Sequence, residues 1–400
     1  MAAQKVSPPA IWTRNFIVIS LVNLFVFFSF QMIFPVLPVY VKKLGGTDTL
    51  VGVVMGISTV STVIVRPVTG LLLDNYGKKP VLMCGLVLFG AAVFGYGMVH
   101  LISLIIAIRL LHGVGWGFTG TSAATIASEI IPRKRFAEGM GYFSLANGVS
   151  MAIAPAVGIY VGRLLSLNSV FFIAAGLAAV SLFLSAFLKC GKQTRPVSGT
   201  LNLELYERAS ANSAVLMFFL SFTYGSIIGF LPLYAASEGI PGIGAFFTVF
   251  ALTILVTRPL IGRLIDRSGL TVVLLPGFFC LLAGIFSLAE GTTLQEFLII
   301  AFVYGLGLGS LQTTLQTMAV RDIPQCRLGA ANATLYTGFD LGMGIGVIIL
   351  GIIAQNWGYR VMYLFTTVPV VLSILYYVFW AKNHLHVPPG ICPRTQDDIL

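Results

Sequence analysis

The sequence predicts an all-α membrane protein with twelve transmembrane helices, arranged as two parallel six-helix repeats. Three observations lead to this prediction. The 400 residues are 57% hydrophobic and only 10% charged, whereas a soluble domain carries about 25% charged residues. Twelve apolar segments are long enough to cross a bilayer, which takes about 20 residues. The first half of the chain also returns in the second half at a fixed offset.

The internal repeat is clearest around two arginines. A run that begins Arg66-Pro and contains Asp74 returns as a run that begins Arg258-Pro and contains Asp266, an offset of 192 residues. The same offset carries three glycines of the fourth apolar segment onto three glycines of the tenth. Such self-similarity indicates a repeat architecture. In a membrane protein it is typical of two halves that face each other across a central site.

The twelve apolar segments divide evenly around one polar stretch, Lys189–Asn212. We therefore predict an N-terminal half at residues 1–188, a linker at 189–212, a C-terminal half at 213–382 and a polar tail at 383–400. The predicted spans are residues 16–41, 50–73, 81–99, 101–126, 139–164, 170–188, 214–234, 243–265, 272–288, 297–318, 328–354 and 361–380.

The placement of Lys and Arg predicts the orientation, because cytoplasmic loops carry an excess of these residues. With the N-terminus in the cytoplasm, the outer side holds only Lys42, Lys43, Arg163 and Arg360. Both termini, the linker and the tail are then cytoplasmic, in a multi-pass protein of the plasma membrane. The same asymmetry accounts for the net charge of +10 without nucleic acid as a partner. Each half has an even number of spans, so the two repeats are parallel.

A loop motif between the second and third spans resembles the signature loop of the major facilitator superfamily. It consists of Gly70, Asp74, Gly77, Lys78 and Lys79. Its glycines permit a tight turn and close helix approach. Its carboxylate lies at the end of a span, where it can pair with a cation or cap the N-terminus of a neighbouring helix. We predict that this contact is made in one arrangement of the halves and broken in the other.

The predicted gating loop has a second copy and a basic neighbour. Gly262, Asp266 and Gly269 repeat the motif without its lysine pair, so we expect the second copy to be weaker. Arg133 and Arg135 belong to a basic cluster that we expect near Asp74.

Two further motifs resemble those of the drug:proton antiporter branch of the same superfamily. Arg109-Leu-Leu-His112-Gly113 has His where the branch usually has Gln. Ala154-Pro155-Ala-Val-Gly158 is a reduced form of the antiporter motif in span five. The resemblance covers the whole chain. It implies the major facilitator fold, alternating access, and a central cavity surrounded by spans one, four, seven and ten.

Ionisable residues inside spans are costly and are functional candidates by default. Asp340 is the one carboxylate near the middle of a predicted span, and we expect it to carry the coupled proton, as a buried carboxylate can do near neutral pH. The alternative is a static ion pair. Arg109 is expected to counter Asp340 or a substrate anion, and His112 is a second candidate for the proton. Arg66 and Arg258 are expected to reach the cytoplasmic surface as anchors.

Polar residues in the spans are candidates to line the cavity and to orient a substrate by hydrogen bonds. Bonding between helices is the alternative for each of them. With one carboxylate, few cations and many amides, such a cavity suits a neutral or cationic amphipathic substrate. We expect the aromatic residues of span one, such as Phe27, Phe30 and Phe34, to face lipid or pack. The predicted cavity residues are Asn23, Gln31, Asn147, Tyr224, Gln312, Gln316, Asn332 and Tyr336.

The function predicted from these features is proton-coupled efflux of a small organic molecule, a drug or a metabolite, by alternating access. Proton-coupled uptake or facilitated diffusion of a metabolite such as a sugar is the alternative. Export of a metal-chelating metabolite comes third, and a channel or sensor last. No enzyme motif or nucleotide-binding loop is present, which favours an ion gradient as the energy source. We predict no cofactor and no metal, with substrate, protons and lipid as partners of a monomer.

Overall fold

The computed structural model describes residues 10–46, 48–189 and 205–381. These residues form helices joined by short connections, and no strand occurs among them. The helices are α1 (Arg14–Ile33), α2 (Val36–Lys43), α3 (Asp48–Tyr76), α4 (Lys78–Met98), α5 (Ile102–Ile130), α6 (Phe136–Leu164), α7 (Leu167–Ala186), α8 (Ala211–Ser237), α9 (Gly244–Ser268), α10 (Thr271–Glu290), α11 (Leu294–Val320) and α12 (Leu328–Phe379).

The helices confirm the predicted all-α class and approximately confirm the number of spans. In the described part of the chain, eleven helical segments are long and apolar enough to cross a membrane, with α1 and α2 together making the first. The last segment contains the 52-residue helix α12, which is interrupted at Gly358 with φ 80° and ψ 168°. This conformation is accessible mainly to glycine. Split at Gly358, the segment supplies the eleventh and twelfth spans.

The helices pack as two similar halves. In the first half α5 packs on α3 and α4, and α1 packs on α6. In the second half α11 packs on α9 and α10, and α8 packs on α12. The halves meet where α3 contacts α12 and where α6 contacts α9. Each of these two contacts is the repeat counterpart of the other, as expected for halves related by a pseudo-twofold axis.

Glycines shared by the repeats let the helices of each half approach closely. A Cβ atom on Gly115 would collide with the backbone of Phe89 in α4. A Cβ atom on its counterpart, Gly307, would collide with the backbone of Leu281 in α10. Small residues at helix crossings are a common packing device in membranes. The repeated glycines are therefore packing positions of α5 and α11.

The outside of the bundle is apolar. Large side chains such as Ile64, Phe183, Ile299 and Ile348 are each about two-thirds exposed. A soluble protein rarely exposes contiguous apolar surface of this kind, so this face contacts lipid. Most of the predicted linker and all of the predicted tail lie outside the described residues. The predicted domain boundaries therefore stay predictions, although α7 ends at Ala186 and α8 begins at Ala211.

Candidate substrate cavity

A cavity lies between the two halves, near the middle of the bundle. The empty space between its walls is about 1450 Å³, including the part open to solvent. Its wall comes from α1, α5, α8 and α11, the spans that the resemblance implied, and also from α3, α6, α9 and α12. Ligand sites of membrane transporters lie near the midplane at such a repeat interface.

Five of the eight predicted cavity residues line this space, and three do not. Asn23 instead donates to Asn147 Oδ1 at 3.2 Å, and Gln316 accepts from Ser144 Oγ at 2.8 Å. Asn332 donates to the carbonyl oxygen of Leu328 in its own helix. In this structure the amides of these three residues are used in helix packing, which was the alternative for each of them. The residues that do line the cavity are Gln31, Asn147, Tyr224, Gln312 and Tyr336.

An ion pair between Arg66 and Asp340 joins the two halves in the cavity wall. The Nε atom of Arg66 donates to Oδ2 of Asp340, and the two side chains are 4% and 11% exposed. Arg66 also donates to Thr121, and its guanidinium lies over the ring of Tyr336 at 4.9 Å from the centroid. Two predictions are corrected here. Arg66 does not snorkel, because its face of α3 packs against α12, and Arg66 rather than Arg109 counters Asp340.

Arg109 and His112 form a separate polar cluster on α5. Arg109 donates to the carbonyl oxygen of Val54 at 3.1 Å and to Nδ1 of His112 at 3.0 Å. Tyr96 also lies 3.0 Å from that nitrogen. Arg can only donate hydrogen bonds, so Nδ1 accepts and the imidazole proton lies on Nε2. This arrangement requires neutral His112. Its Nε2 atom has no hydrogen-bond partner among the described residues.

Arg258 is the third arginine of the cavity wall, and sequence reasoning assigned it to the surface. It is 3% exposed. It donates to the carbonyl oxygen of Ser144, across the half-to-half interface, and to Oε1 of Gln312 at 2.5 Å. Its Nε atom has no hydrogen-bond partner within the described residues. The internal repeat was the sequence feature that could have identified Arg66 and Arg258 as cavity residues, since the two arginines occupy equivalent positions.

Aromatic and methionine side chains supply the apolar part of the wall. Phe30 stacks on Trp116 with ring centroids 4.2 Å apart. Phe27 of α1 and Phe34, which directly follows α1, also line the space, so these residues of the first span face the cavity and not lipid. Methionine is flexible and suits surfaces that accept several partners. The four methionines of the wall are Met55, Met151, Met217 and Met343.

The predicted gating loop caps a helix of the opposite half. Asp74 accepts from the backbone N–H groups of Gly329 and Ala330 at 2.8 and 2.9 Å, at the N-terminus of α12. A carboxylate at a helix N-terminus interacts favourably with the unpaired N–H groups and the helix dipole. The helix cap is one of the two contacts predicted for Asp74. Gly70 permits the approach, since a Cβ there would collide with Gly329 and Ala333.

The second copy of the loop makes the equivalent contact. Asp266 accepts from the N–H groups of Ala137 and Glu138 at 3.1 and 3.0 Å, at the N-terminus of α6. The loop glycines Gly77 and Gly269 both have positive φ, 106° and 87°. We expected a weaker second copy, but both copies make the same pair of bonds across the interface.

The basic residues around the loops have other partners. Lys78 pairs with Glu129 at 2.8 Å, and Lys79 donates to carbonyl oxygens of Ala186 and Leu188, all within the first half. The lysine pair therefore stabilises the first half. Since the pair has this separate role, Asp266 can cap α6 without equivalent lysines.

Arg133 and Arg135 join the halves near the caps. Arg133 donates to the carbonyl oxygens of Val320, Arg321 and Ile323. Arg135 pairs with Glu138, which also binds Arg263 of the other half. With the two helix caps, these contacts close the bundle at its predicted cytoplasmic end.

These features define a class: a polytopic membrane transporter whose two repeated halves enclose a cavity and close against each other at one end. The family model of the Major Facilitator Superfamily matches residues 19–325 and 214–391. The chain belongs to this superfamily.

Curated relatives include transporters named for drug efflux. The chain is 25% identical to the multidrug resistance protein MdtG of Escherichia coli over 388 residues, covering 92% of this chain and 95% of that protein. It is 22% identical to the multi-drug resistance efflux pump PmrA of Streptococcus pneumoniae over 375 residues, covering 90% and 94%. An uncharacterised MFS-type transporter of Methanocaldococcus jannaschii is 23% identical over 378 residues, covering 91% and 98%.

Two solved structures share the fold. The human organic anion transporter MFSD10 (TETRAN) has a TM-score of 0.79 at 16% identity, covering 92% of this chain and 99% of that one. A bacterial homologue of the iron transporter ferroportin, in its outward-facing state, has a TM-score of 0.76 at 18% identity, covering 92% and 100%. At these identities the likeness concerns the fold alone.

Proposed function

We propose that this chain is a secondary active transporter of the plasma membrane that exports a small organic molecule in exchange for protons. Its relatives named as efflux pumps support export. The Lys and Arg asymmetry supports a cytoplasmic position for both termini and for the closed end of the bundle.

The observation that carries the coupling is the ion pair between Arg66 and Asp340. Its members lie on opposite halves, at membrane depth, in the cavity wall. Protonation of Asp340 removes the attraction between α3 and α12 at this point. Proton occupancy and the arrangement of the halves then depend on each other, which is the requirement for a coupled transporter. His112 is a poorer candidate in this conformation, since its Nδ1 atom is engaged as an acceptor from Arg109.

Proton flux measured in proteoliposomes tests the proposal. The purified chain is reconstituted with a pH-sensitive dye inside, and a panel of drugs, sugars and organic acids is added in turn. We expect transported compounds to move protons in the opposite direction. Proton movement in the same direction as the substrate would instead indicate the alternative, proton-coupled uptake. Transport without any proton movement would contradict the coupling.

A further inference from the structure

The equivalent arginines of the two repeats have different partners. In the repeat, Arg258 corresponds to Arg66, and the position that corresponds to Asp340 is Gly148, 192 residues earlier. The helix caps verify this register, because Asp74 binds Gly329 and Ala330 while its counterpart Asp266 binds Ala137 and Glu138, again 192 residues earlier. Arg66 thus has a carboxylate from the opposite half, whereas Arg258 has a glycine at the equivalent place.

The unused atom of Arg258 is the atom that Arg66 uses. Asp340 binds Nε of Arg66, and Nε of Arg258 is buried without a hydrogen-bond partner within the described residues. The partners that Arg258 does have, a carbonyl oxygen and an amide oxygen, are neutral. Burying a cation without an opposite charge is costly. A ligand that brings a negative charge would remove this cost.

The cavity has room for such a charge beside Arg258. Both Arg258 and Gly148 line it. A Cβ atom on Gly148 would meet only Cγ2 of Ile254, at an ordinary contact distance of 3.5 Å. The described wall holds three arginines and one carboxylate, Asp340. The expectation of a cavity with few cations was wrong, because Arg66 and Arg258 face inward.

We propose that Arg258 binds the anionic group of the substrate, and that the substrate is an amphipathic organic anion with an aromatic or apolar body. Its carboxylate takes the place at Arg258 that Asp340 takes at Arg66. The planar guanidinium matches a carboxylate through parallel hydrogen bonds. The stacked rings of Phe30 and Trp116 and the wall methionines contact the apolar body. This inference rests on the proposed function for the role of the cavity, but it does not depend on proton coupling.

Equilibrium binding to the purified full-length chain tests the assignment. Calorimetric titration compares naphthoate and phenylacetate with their neutral amides, naphthamide and phenylacetamide, in lipid nanodiscs without any gradient. We expect at least one carboxylate to bind about tenfold or more tightly than its amide, as for a charge-assisted hydrogen bond in a dry site. Arg258→Gln should remove that preference. Arg163→Gln, which removes an exposed arginine of the outer side, should keep it.

A second pair of variants, at Gly148, tests the same preference with Arg258 left in place. The test therefore does not depend on whether Arg258→Gln folds. Gly148→Asp supplies a carboxylate from the chain itself and should abolish the preference for the anion. Gly148→Ala adds no charge and leaves the place beside Arg258 open, since a Cβ there meets only Cγ2 of Ile254 at 3.5 Å, and it should retain the preference. Equal affinity of each carboxylate and its amide in the unaltered chain would overturn the proposal. So would an unchanged preference in both Arg258→Gln and Gly148→Asp. Failure of the proton-flux assay would leave this result untouched, so the two proposals fail separately.

Discussion

At the scale of single residues, the cavity wall is defined by how its charges are paired. Asp340 is engaged by Arg66, His112 by Arg109, and Arg258 by neutral oxygens. The three arginines therefore have different roles, although they cannot be told apart in the sequence. Arg66 holds the halves together and Arg109 fixes the imidazole.

Asp340→Asn mimics the protonated form of Asp340 and should uncouple transport. We expect uphill, gradient-driven transport in proteoliposomes to be lost, while exchange of labelled for unlabelled substrate persists. The reason is that the neutral amide no longer alternates between paired and unpaired states with Arg66. Asp322→Asn, an exposed acid outside the cavity, is the matched control. Uphill transport by Asp340→Asn at the unaltered rate would remove Asp340 as the coupling site.

A purely static ion pair predicts a different outcome for the same variant. Breaking a buried pair by removing one partner costs about 3–5 kcal/mol, so Asp340→Asn would then lose folded protein. Neutralising Arg66 as well, in the double variant with Arg66→Gln, would restore the yield. Uphill transport, measured together with the thermal unfolding midpoints of the single and double variants, distinguishes the two roles. We expect the second substitution to restore the midpoint at most, and not uphill transport.

At the scale of helices, the ends of α3 and α9 each cap a helix of the opposite half. A carboxylate at a helix N-terminus contributes about 0.3–1 kcal/mol, and up to about 2 kcal/mol when partly buried. Two such caps hold the predicted cytoplasmic end closed with a few kcal/mol at most. That is a suitable strength for a contact that must break in every transport cycle.

Asp74→Asn and Asp266→Asn should therefore have similar effects, because their bonds are equivalent. Each should increase the population open at the predicted cytoplasmic end by about fivefold for 1 kcal/mol of lost capping energy. Pulsed EPR between spin labels at Tyr76 and Arg267, both exposed at this end, measures the two populations. The double variant should show a larger shift than either single one. An unchanged distance distribution in all three would reduce the loops to topological signals.

Close helix approach is a second feature at this scale. Gly307→Val should destabilise the chain by about 1–3 kcal/mol or more, because the added atoms meet the backbone of α10 and cannot be accommodated by rotamer changes. Gly176→Val is the control, since a Cβ at Gly176 meets nothing within 4 Å. Thermal unfolding in detergent measures both. Equal midpoints would show that α10 and α11 do not need this contact.

At the scale of the whole molecule, the sequence was sufficient to predict the helices, the repeat and the family. Apolar length determines a span and a fixed offset determines a repeat, and both can be read without coordinates. The residues of the cavity wall were harder to predict from the sequence. In the sequence, Arg66 lies about two turns before the predicted end of its span, a position that is also compatible with a snorkelling anchor. The packing of α3 on α12 turns its side chain inward. The amides of Asn23 and Gln316 are used in packing in this structure, and a sequence does not distinguish an amide that packs from one that binds a substrate.

The direction in which the cavity opens is a prediction at this scale. A cysteine at Phe34, in the cavity wall, should react with a membrane-impermeant thiol reagent applied to intact cells. A cysteine at Gln316, buried among the contacts that close the other end, should not react. Native cysteines are removed first, and an exposed site at Lys43 serves as the positive control. Reaction at position 316 without reaction at 34 would reverse the predicted orientation.

The charge imbalance of the cavity wall has an electrical consequence. If the cargo is an organic anion, its outward passage carries negative charge out of a cell whose interior is electrically negative. One elementary charge moved across 100 mV is worth about 2.3 kcal/mol, which is about a fiftyfold concentration ratio. The resting voltage of the membrane then supplies much of the work. Such a transporter would slow when the membrane is depolarised, even with the pH difference left intact.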